Sequence, residues 1–156
     1  MISAEIERKF LVEGRPWDRA GPGTAIRQGY LARSDKSVVR IRVGGDKAWL
    51  TIKGPTQGLS RLECEYEIPR LEAESLFALC CEPPLEKTRY RIEEQGSVFD
   101  VDVFEGENAG LVVAEIELQS EEEIFFRPAW LGKEVSADPR YRNSELSVCP
   151  YSSWGG

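Results

Sequence analysis

The chain contains no histidine. Its absence removes the usual proton donor and acceptor near neutral pH, and the usual ligand for zinc, copper or non-haem iron. Chemistry here has to run on carboxylates, lysine, tyrosine, cysteine or a hard metal ion. Cysteine is scarce: Cys64, Cys80, Cys81 and Cys149 form no CxxC pair, and the adjacent Cys80 and Cys81 would strain to bridge. Idle thiols in a reducing compartment are expected, rather than a disulfide framework or a zinc site. No apolar run approaches a membrane span and none resembles a signal peptide, so the expectation is a cytoplasmic protein with no membrane partner. Positive charge is in deficit, with 20 Lys and Arg against 27 Asp and Glu. The net charge of -7 argues against a nucleic-acid partner, which needs a basic face. A small anion stays compatible, because local clusters and bound cations reverse the field inside a cleft.

The 156 residues suit one domain over 1–156, with no linker, repeat or low-complexity tract. What dominates is alternation, the period-two pattern of strands. Val39, Ile41 and Val43 alternate with Arg40 and Arg42; Ala48, Leu50 and Ile52 with Trp49, Thr51 and Lys53; Leu62, Cys64 and Tyr66 with Arg61, Glu63 and Glu65. The pattern continues with Thr88, Tyr90 and Ile92 against Lys87, Arg89 and Arg91, then Phe99, Val101 and Val103 against Asp100 and Asp102. Val112, Ala114, Ile116 and Leu118 oppose Glu115 and Glu117; strands near 4–12 and 24–32 complete about eight. Gly44-Gly45-Asp46, Gly54-Pro55, Gln95-Gly96-Ser97 and Gly106-Glu107-Asn108 are turn signals at hairpin spacing, which implies antiparallel order. A helix is predicted after Pro69, ended by Pro83-Pro84. A second, short one is predicted near Asp138-Pro139, where Asp caps and Pro suits the first turn. Glu121-Glu122-Glu123 reads as a helix start or a loop.

Two architectures produce such strands: an open antiparallel sheet with one wet face, or a closed barrel with its charged faces inward. The distribution of sign bears on the choice. Whole strands carry one charge: Arg40 with Arg42, Lys87 with Arg89 and Arg91, Asp100 with Asp102, Glu115 with Glu117. Like charges two residues apart on one face repel unless opposite charge sits between them. Cross-strand partners would serve, and so would a polyanion against the basic strands with cations against the acidic ones. Carboxylates suit Mg2+ or Mn2+, and arginine forks match phosphate oxygens. Phosphoryl transfer asks chiefly for positioning and charge neutralisation, so a site without histidine is competent.

The run Glu5-Ile6-Glu7-Arg8-Lys9 resembles the ExExK signature of the CYTH, or triphosphate tunnel metalloenzyme, superfamily. Further segments follow in that family's order over nearly the whole chain: Arg27-Gln28-Gly29-Tyr30-Leu31, Arg40-Ile41-Arg42, Thr51-Ile52-Lys53, Arg61-Leu62-Glu63-Cys64-Glu65, Glu86-Lys87-Thr88-Arg89-Tyr90, Asp100-Val101-Asp102-Val103-Phe104, Glu115-Ile116-Glu117 and the stretch from Glu134 to Asn143. The resemblance, greatest to short bacterial inorganic triphosphatases, implies a mainly β (α+β) fold: a closed eight-stranded antiparallel barrel, charged inside, with a few peripheral helices. It implies that Glu5, Glu7, Asp102, Glu115 and Glu117 group around Mg2+ or Mn2+, and that Lys9, Arg40, Arg42, Lys53, Arg61, Lys87 and Arg89 hold a small-molecule triphosphate. One ion would sit with Glu7, Glu115, Glu117 and Asp102, and a second near Glu5 would present the attacking water. Lys87 would neutralise developing charge, and Tyr30 would accept a proton. A phenol serves in that way only where neighbouring cations favour its ionised form, and the strand pattern leaves open whether Tyr30 faces the interior or packs.

Ser136 stands where relatives carry threonine, and Glu67 adds a charge beyond Glu63 and Glu65 with no role assigned. Trp49, Trp130 and Trp154 read as core or cover, Tyr141 and Asn143 as anchors of the C-terminal helix. Hydrolysis of inorganic triphosphate is the leading reading. Adenylate cyclisation or thiamine triphosphate hydrolysis in the same tunnel is the first alternative, and a non-catalytic polyphosphate-binding module the second. A homodimer is left open.

Overall fold

A computed structural model of the protein describes residues 2–155; the two terminal residues of the expected 1–156 domain, Met1 and Gly156, lie outside it. Strands β1 (Ile2–Val12), β2 (Thr24–Arg33), β3 (Val38–Gly44), β4 (Lys47–Lys53), β5 (Ser60–Ile68), β6 (Leu85–Glu94), β7 (Ser97–Phe104) and β8 (Val112–Glu117) join in the order β5-β4-β3-β2-β6-β7-β8-β1. β1 also pairs with β5, from Ile2 opposite Cys64 to Ile6 opposite Ser60, and this closes the sheet into an eight-stranded antiparallel barrel. Closure leaves no long edge of unpaired N–H and C=O groups. β1 spans both seams because it is long: its first half meets β5 and its second half meets β8. A ninth short strand, β9 (Leu131–Glu134), not expected from the sequence, pairs with the end of β1.

The hairpins form where the turn residues allow. β6 and β7 are joined by Gln95 and Gly96, both at positive φ (51° and 79°), the backbone that matches the twist of paired strands. Gly29 serves a different purpose: a Cβ there would lie 2.6 Å from Cys80 Sγ, so only glycine lets the segment after the first helix close on β2.

The apolar faces point outward and are covered in two places. Trp17 on a 3-10 turn (Pro16–Arg19), together with Phe125 and Trp130, packs over Phe10, Phe99, Val101, Ala114 and Ile116. The helix predicted after Pro69 is α1 (Arg70–Leu76), continued by a 3-10 turn (Phe77–Leu79), and covers Ile41, Val43 and Ala48. Glu121, Glu122 and Glu123 lie in turn and bend structure, not a helix.

One end of the barrel is stopped by a third cluster. Tyr30, Leu85, Phe104, Leu111 and Val113 meet Leu146 of α2 (Asn143–Leu146), with Tyr141, Tyr151 and Trp154 behind it. The chain enters this plug through a 3-10 turn (Pro139–Tyr141), where Asp138 caps the Arg140 amide at 3.0 Å as expected. Among the described residues no helix is long and apolar enough to cross a membrane.

Candidate active site

Inside the barrel, above the plug, a cavity of about 440 Å³ is walled almost wholly by charge. The period-two alternation places it there. Every second residue of β1 from Glu5 through Lys9 to Leu11 faces inward, the charged ones into the cavity and Leu11 onto the plug. Glu5, Glu7, Lys9, Tyr30, Arg40, Arg42, Lys53, Arg61, Arg89, Glu115 and Glu117 all line this one space. Tyr30, whose orientation the sequence leaves open, is 4% exposed, and its hydroxyl accepts a hydrogen bond from Gln28 Nε2 at 3.1 Å.

The signs segregate. On β7, β8 and β1, Asp100 stands opposite Glu115 and Glu7 opposite Glu117, carboxylate facing carboxylate. On β3, β4 and β5, Arg40, Arg42, Lys53 and Arg61 supply cations, and β6 adds Arg89 and Arg91. Where the walls meet, opposite charges pair. Lys53 Nζ donates to Glu5 at 3.1 Å and lies 3.3 Å from Glu63; Arg61 Nε is 3.5 Å from Glu5. Lys9 Nζ lies 3.6 Å from Glu115 and donates to the Tyr141 carbonyl at 3.1 Å.

These contacts divide the carboxylates. Burial alone would raise Glu5, but Lys53, a hydrogen bond with Glu63 and then Arg61 more than offset it and hold it below its ordinary value. Glu115 is likewise held well down: burial is outweighed by Lys9, Arg89 and Lys87. Glu7 goes the other way. Burial first, then Glu115 and Glu5, push its carboxyl up to about 8, and among the described residues its side chain makes no hydrogen bond or ion pair. Glu117 and Asp100 are raised as well, chiefly by burial. On the basic side, burial and then Arg40 and Arg89 lower the Arg42 guanidinium to about 10. Packing like charges this closely is unfavourable until ions of opposite sign arrive.

Two expected residues stand behind the wall and do not line the cavity. Asp102 is 0% exposed, and both its oxygens are taken: Arg89 binds through Nε at 2.7 Å and Nη2 at 2.9 Å, and Lys87 Nζ through an ion pair at 2.8 Å. Lys87, 1% exposed, also donates to Asn143 Oδ1 at 2.8 Å. Glu67 is exposed and lies away from the cavity. The Ser136 hydroxyl is engaged: its Oγ accepts from the Lys9 amide at 2.9 Å and donates to Glu134 at 2.7 Å.

The structure adds lining residues that had no assigned role. Glu63 and Glu65 alternate with Cys64 on the face of Arg61, so the strand pattern carried the signal. Arg142 and Asn143 arrive on the plug segment, which has no periodicity to mark them.

Hard oxygen donors of this kind suit a divalent cation. Among the described residues no three carboxylates converge into a closed metal cage. The unpaired, charge-crowded Glu7 beside Glu117 is where an added cation gains most. A small hard ion held by one or two carboxylates draws its remaining ligands from water and phosphate, and the residues present fit such an ion.

Residues 3–151 match the CYTH domain family. An inorganic triphosphatase of Acetivibrio thermocellus is 48% identical over 154 residues, which span 98% of this chain and 99% of that protein. An inorganic triphosphatase of Nitrosomonas europaea is 38% identical over 148 residues, 92% of this chain and 97% of that one. A crystal structure of an inorganic triphosphatase superposes with a TM-score of 0.68 at 35% identity, covering 92% of this chain and 97% of the other.

Proposed function

The chain belongs to the CYTH domain family, and from that membership we propose that it hydrolyses inorganic triphosphate with the help of Mg2+ or Mn2+. The observation that carries the reading is the cavity itself. A wall of uncompensated carboxylates at Glu7 and Glu117 faces a wall of Arg40, Arg42, Lys53 and Arg61. A metal–polyphosphate complex neutralises both walls at once; a neutral ligand neutralises neither.

Glu7, Glu115 and Glu117 would hold the cation, with Glu5 close by. When bound, the ion neutralises phosphate oxygens and polarises a water molecule. The chain's own residues do the remaining work. Arg40, Arg42, Lys53 and Arg61 bind and orient the triphosphate, and they balance the charge that grows on the leaving phosphate, an effect strengthened by the protein walls around it. Arg89 reaches the same space while Asp102 fixes its fork, and Lys87 braces Asp102 from behind. Tyr30 presents its hydroxyl from the basic side.

The test is phosphate release from tripolyphosphate. Glu5→Gln and Glu117→Gln proteins, shown to be folded, are expected to lose at least about a hundredfold in rate; wild-type rates would overturn the metal assignment. Product analysis with ATP separates the alternatives: orthophosphate supports the hydrolase, cyclic AMP with pyrophosphate a cyclase. Saturable tripolyphosphate binding with no turnover under either metal would make the protein a binding module.

A further inference from the structure

Gln28 is 0% exposed and does not line the cavity, yet three groups that bear on the cavity meet at its side-chain amide. Arg42 Nε reaches Gln28 Oε1 at 3.1 Å. Gln28 Nε2 lies 3.1 Å from the Tyr30 hydroxyl and 3.1 Å from Asn143 Oδ1, and Asn143 Oδ1 in turn lies 2.8 Å from Lys87 Nζ.

The directions of these bonds are forced. An amide can be turned end for end without changing its shape, so its orientation follows from its partners. Arginine only donates, so the Gln28 atom facing Arg42 is the oxygen, and the NH2 group faces Tyr30 and Asn143. The Gln28 NH2 group donates to the Asn143 atom that faces it, so that atom is the amide oxygen, and it accepts from Lys87 as well. Arg42 at one end of the chain therefore sets both amides, and one consequence remains. The Tyr30 oxygen accepts from Gln28, so its own hydrogen, confined near the ring plane, lies on the side away from Gln28, and the ring that carries it lines the cavity.

We propose that Gln28 is a positioning residue that sets the Tyr30 hydroxyl as a hydrogen-bond donor aimed at a phosphate oxygen of the bound triphosphate, while holding Arg42 in register with it. The role in turnover rests on the triphosphatase reading. The hydroxyl direction does not, and the experiment separates the two.

Gln28→Glu keeps the size and the oxygen facing Arg42 but has no hydrogen to give, so the Tyr30 hydroxyl turns to donate to the new carboxylate. With tripolyphosphate, Gln28→Glu is expected to lower kcat at least about tenfold while KM moves less than about threefold, within the range for loss of one oriented donor. Tyr30→Phe is expected to lose a similar factor, and adding Gln28→Glu to Tyr30→Phe to cost less than about twofold more, the non-additivity of residues acting as a unit. Full additivity overturns the proposal. The readout independent of activity is the tyrosine Raman doublet, whose two bands change in relative intensity as the phenol donates or accepts, taken as a difference against Tyr30→Phe. Its intensity ratio is expected to fall from wild type to Gln28→Glu as Tyr30 becomes donor only; an unchanged ratio overturns the proposal. If Gln28→Glu does not fold, Gln28→Met replaces it, with the ratio again changed from wild type and KM also raised because Arg42 is released. If the wild type releases no phosphate while the ratio falls, the triphosphatase reading fails and the positioning of Tyr30 stands.

Discussion

Glu7 and Glu117 stand directly opposite each other on β1 and β8, two carboxylates in register on the inner face of the barrel. Ordinary sheets place like charges in such pairs rarely, because each pair is destabilising. Here the repulsion lies in the proposed site, where it would make the fold sensitive to protons and cations.

Between pH 5 and 7 the metal-free protein is expected to lose stability as pH rises. Burial, Glu115 and Glu5 raise the folded Glu7 carboxyl from 4.5 to about 8. The folded state therefore holds a proton that the unfolded chain has released, and stability falls with rising pH through this window. Carboxylates held low, such as Glu5, Asp102 and Glu115, act in the opposite sense but only in acid. Lys87, lowered by burial to about 7, opposes the slope only above that value. Thermal unfolding in chelator is expected to show Tm falling from pH 5 to 7 in wild type and a flatter profile in Glu7→Gln. An equal slope in both would remove Glu7 as its source.

Divalent cation is expected to reverse that trend. An ion needs the ionised form of Glu7, so it binds better as the competing proton leaves. Saturating Mg2+ should raise Tm more at pH 8 than at pH 5, by about 2–4 °C for each kcal/mol of binding free energy. Glu7→Gln should show the smaller response at both values.

Much of this site was legible in the alternation. Arg40 and Arg42, or Glu115 and Glu117, had to share a face because strands alternate, and their like sign marked that face as unusual. Which way the face pointed was not legible, since an open sheet gives the same pattern; only the pairing of β1 with β5 settles closure. β9 escaped because its four residues, Leu-Gly-Lys-Glu, carry no alternating apolar face. The burial of Asp102 and Lys87 escaped for a related reason. Period two says which side a residue faces but not how far along the barrel it sits, and these two lie deep, near the apolar plug.

The plug should be a stability element that activity also depends on. Leu146 is 1% exposed among Tyr30, Leu85, Phe104, Leu111 and Val113. Leu146→Ala is expected to cost about 2–5 kcal/mol, the range for a large core deletion, read as a lower urea midpoint with an unchanged m-value. Because α2 also carries Asn143, which donates nothing to Lys87 but receives from it, loosening α2 is expected to lower turnover of tripolyphosphate under conditions where the variant remains folded. Full activity with reduced stability would mean that the plug and the cavity are independent.

Asp102 offers the sharpest separation of structural from metal-binding roles. Its two oxygens are committed to Arg89 and Lys87, inside a cluster from which it does not reach the cavity. Removing the carboxylate leaves the buried Lys87 without its acidic partner, beside an Arg89 that still has Asp100 and Glu115 in reach, and breaking a buried pair from one side costs about 3–5 kcal/mol. Asp102→Ala is therefore expected to lower Tm on the order of 10 °C, with or without metal. Asp102→Asn, which can still accept a hydrogen bond from Arg89, should lose less. A residue that held the cation directly would behave differently: its loss would relieve carboxylate crowding in chelator and weaken the stabilisation by Mg2+. Unfolding of wild type, Asp102→Ala and Glu117→Gln, each with and without Mg2+, distinguishes the two. Asp102→Ala should be destabilised in both conditions with its Mg2+ response retained, and Glu117→Gln should keep its stability in chelator while losing most of that response.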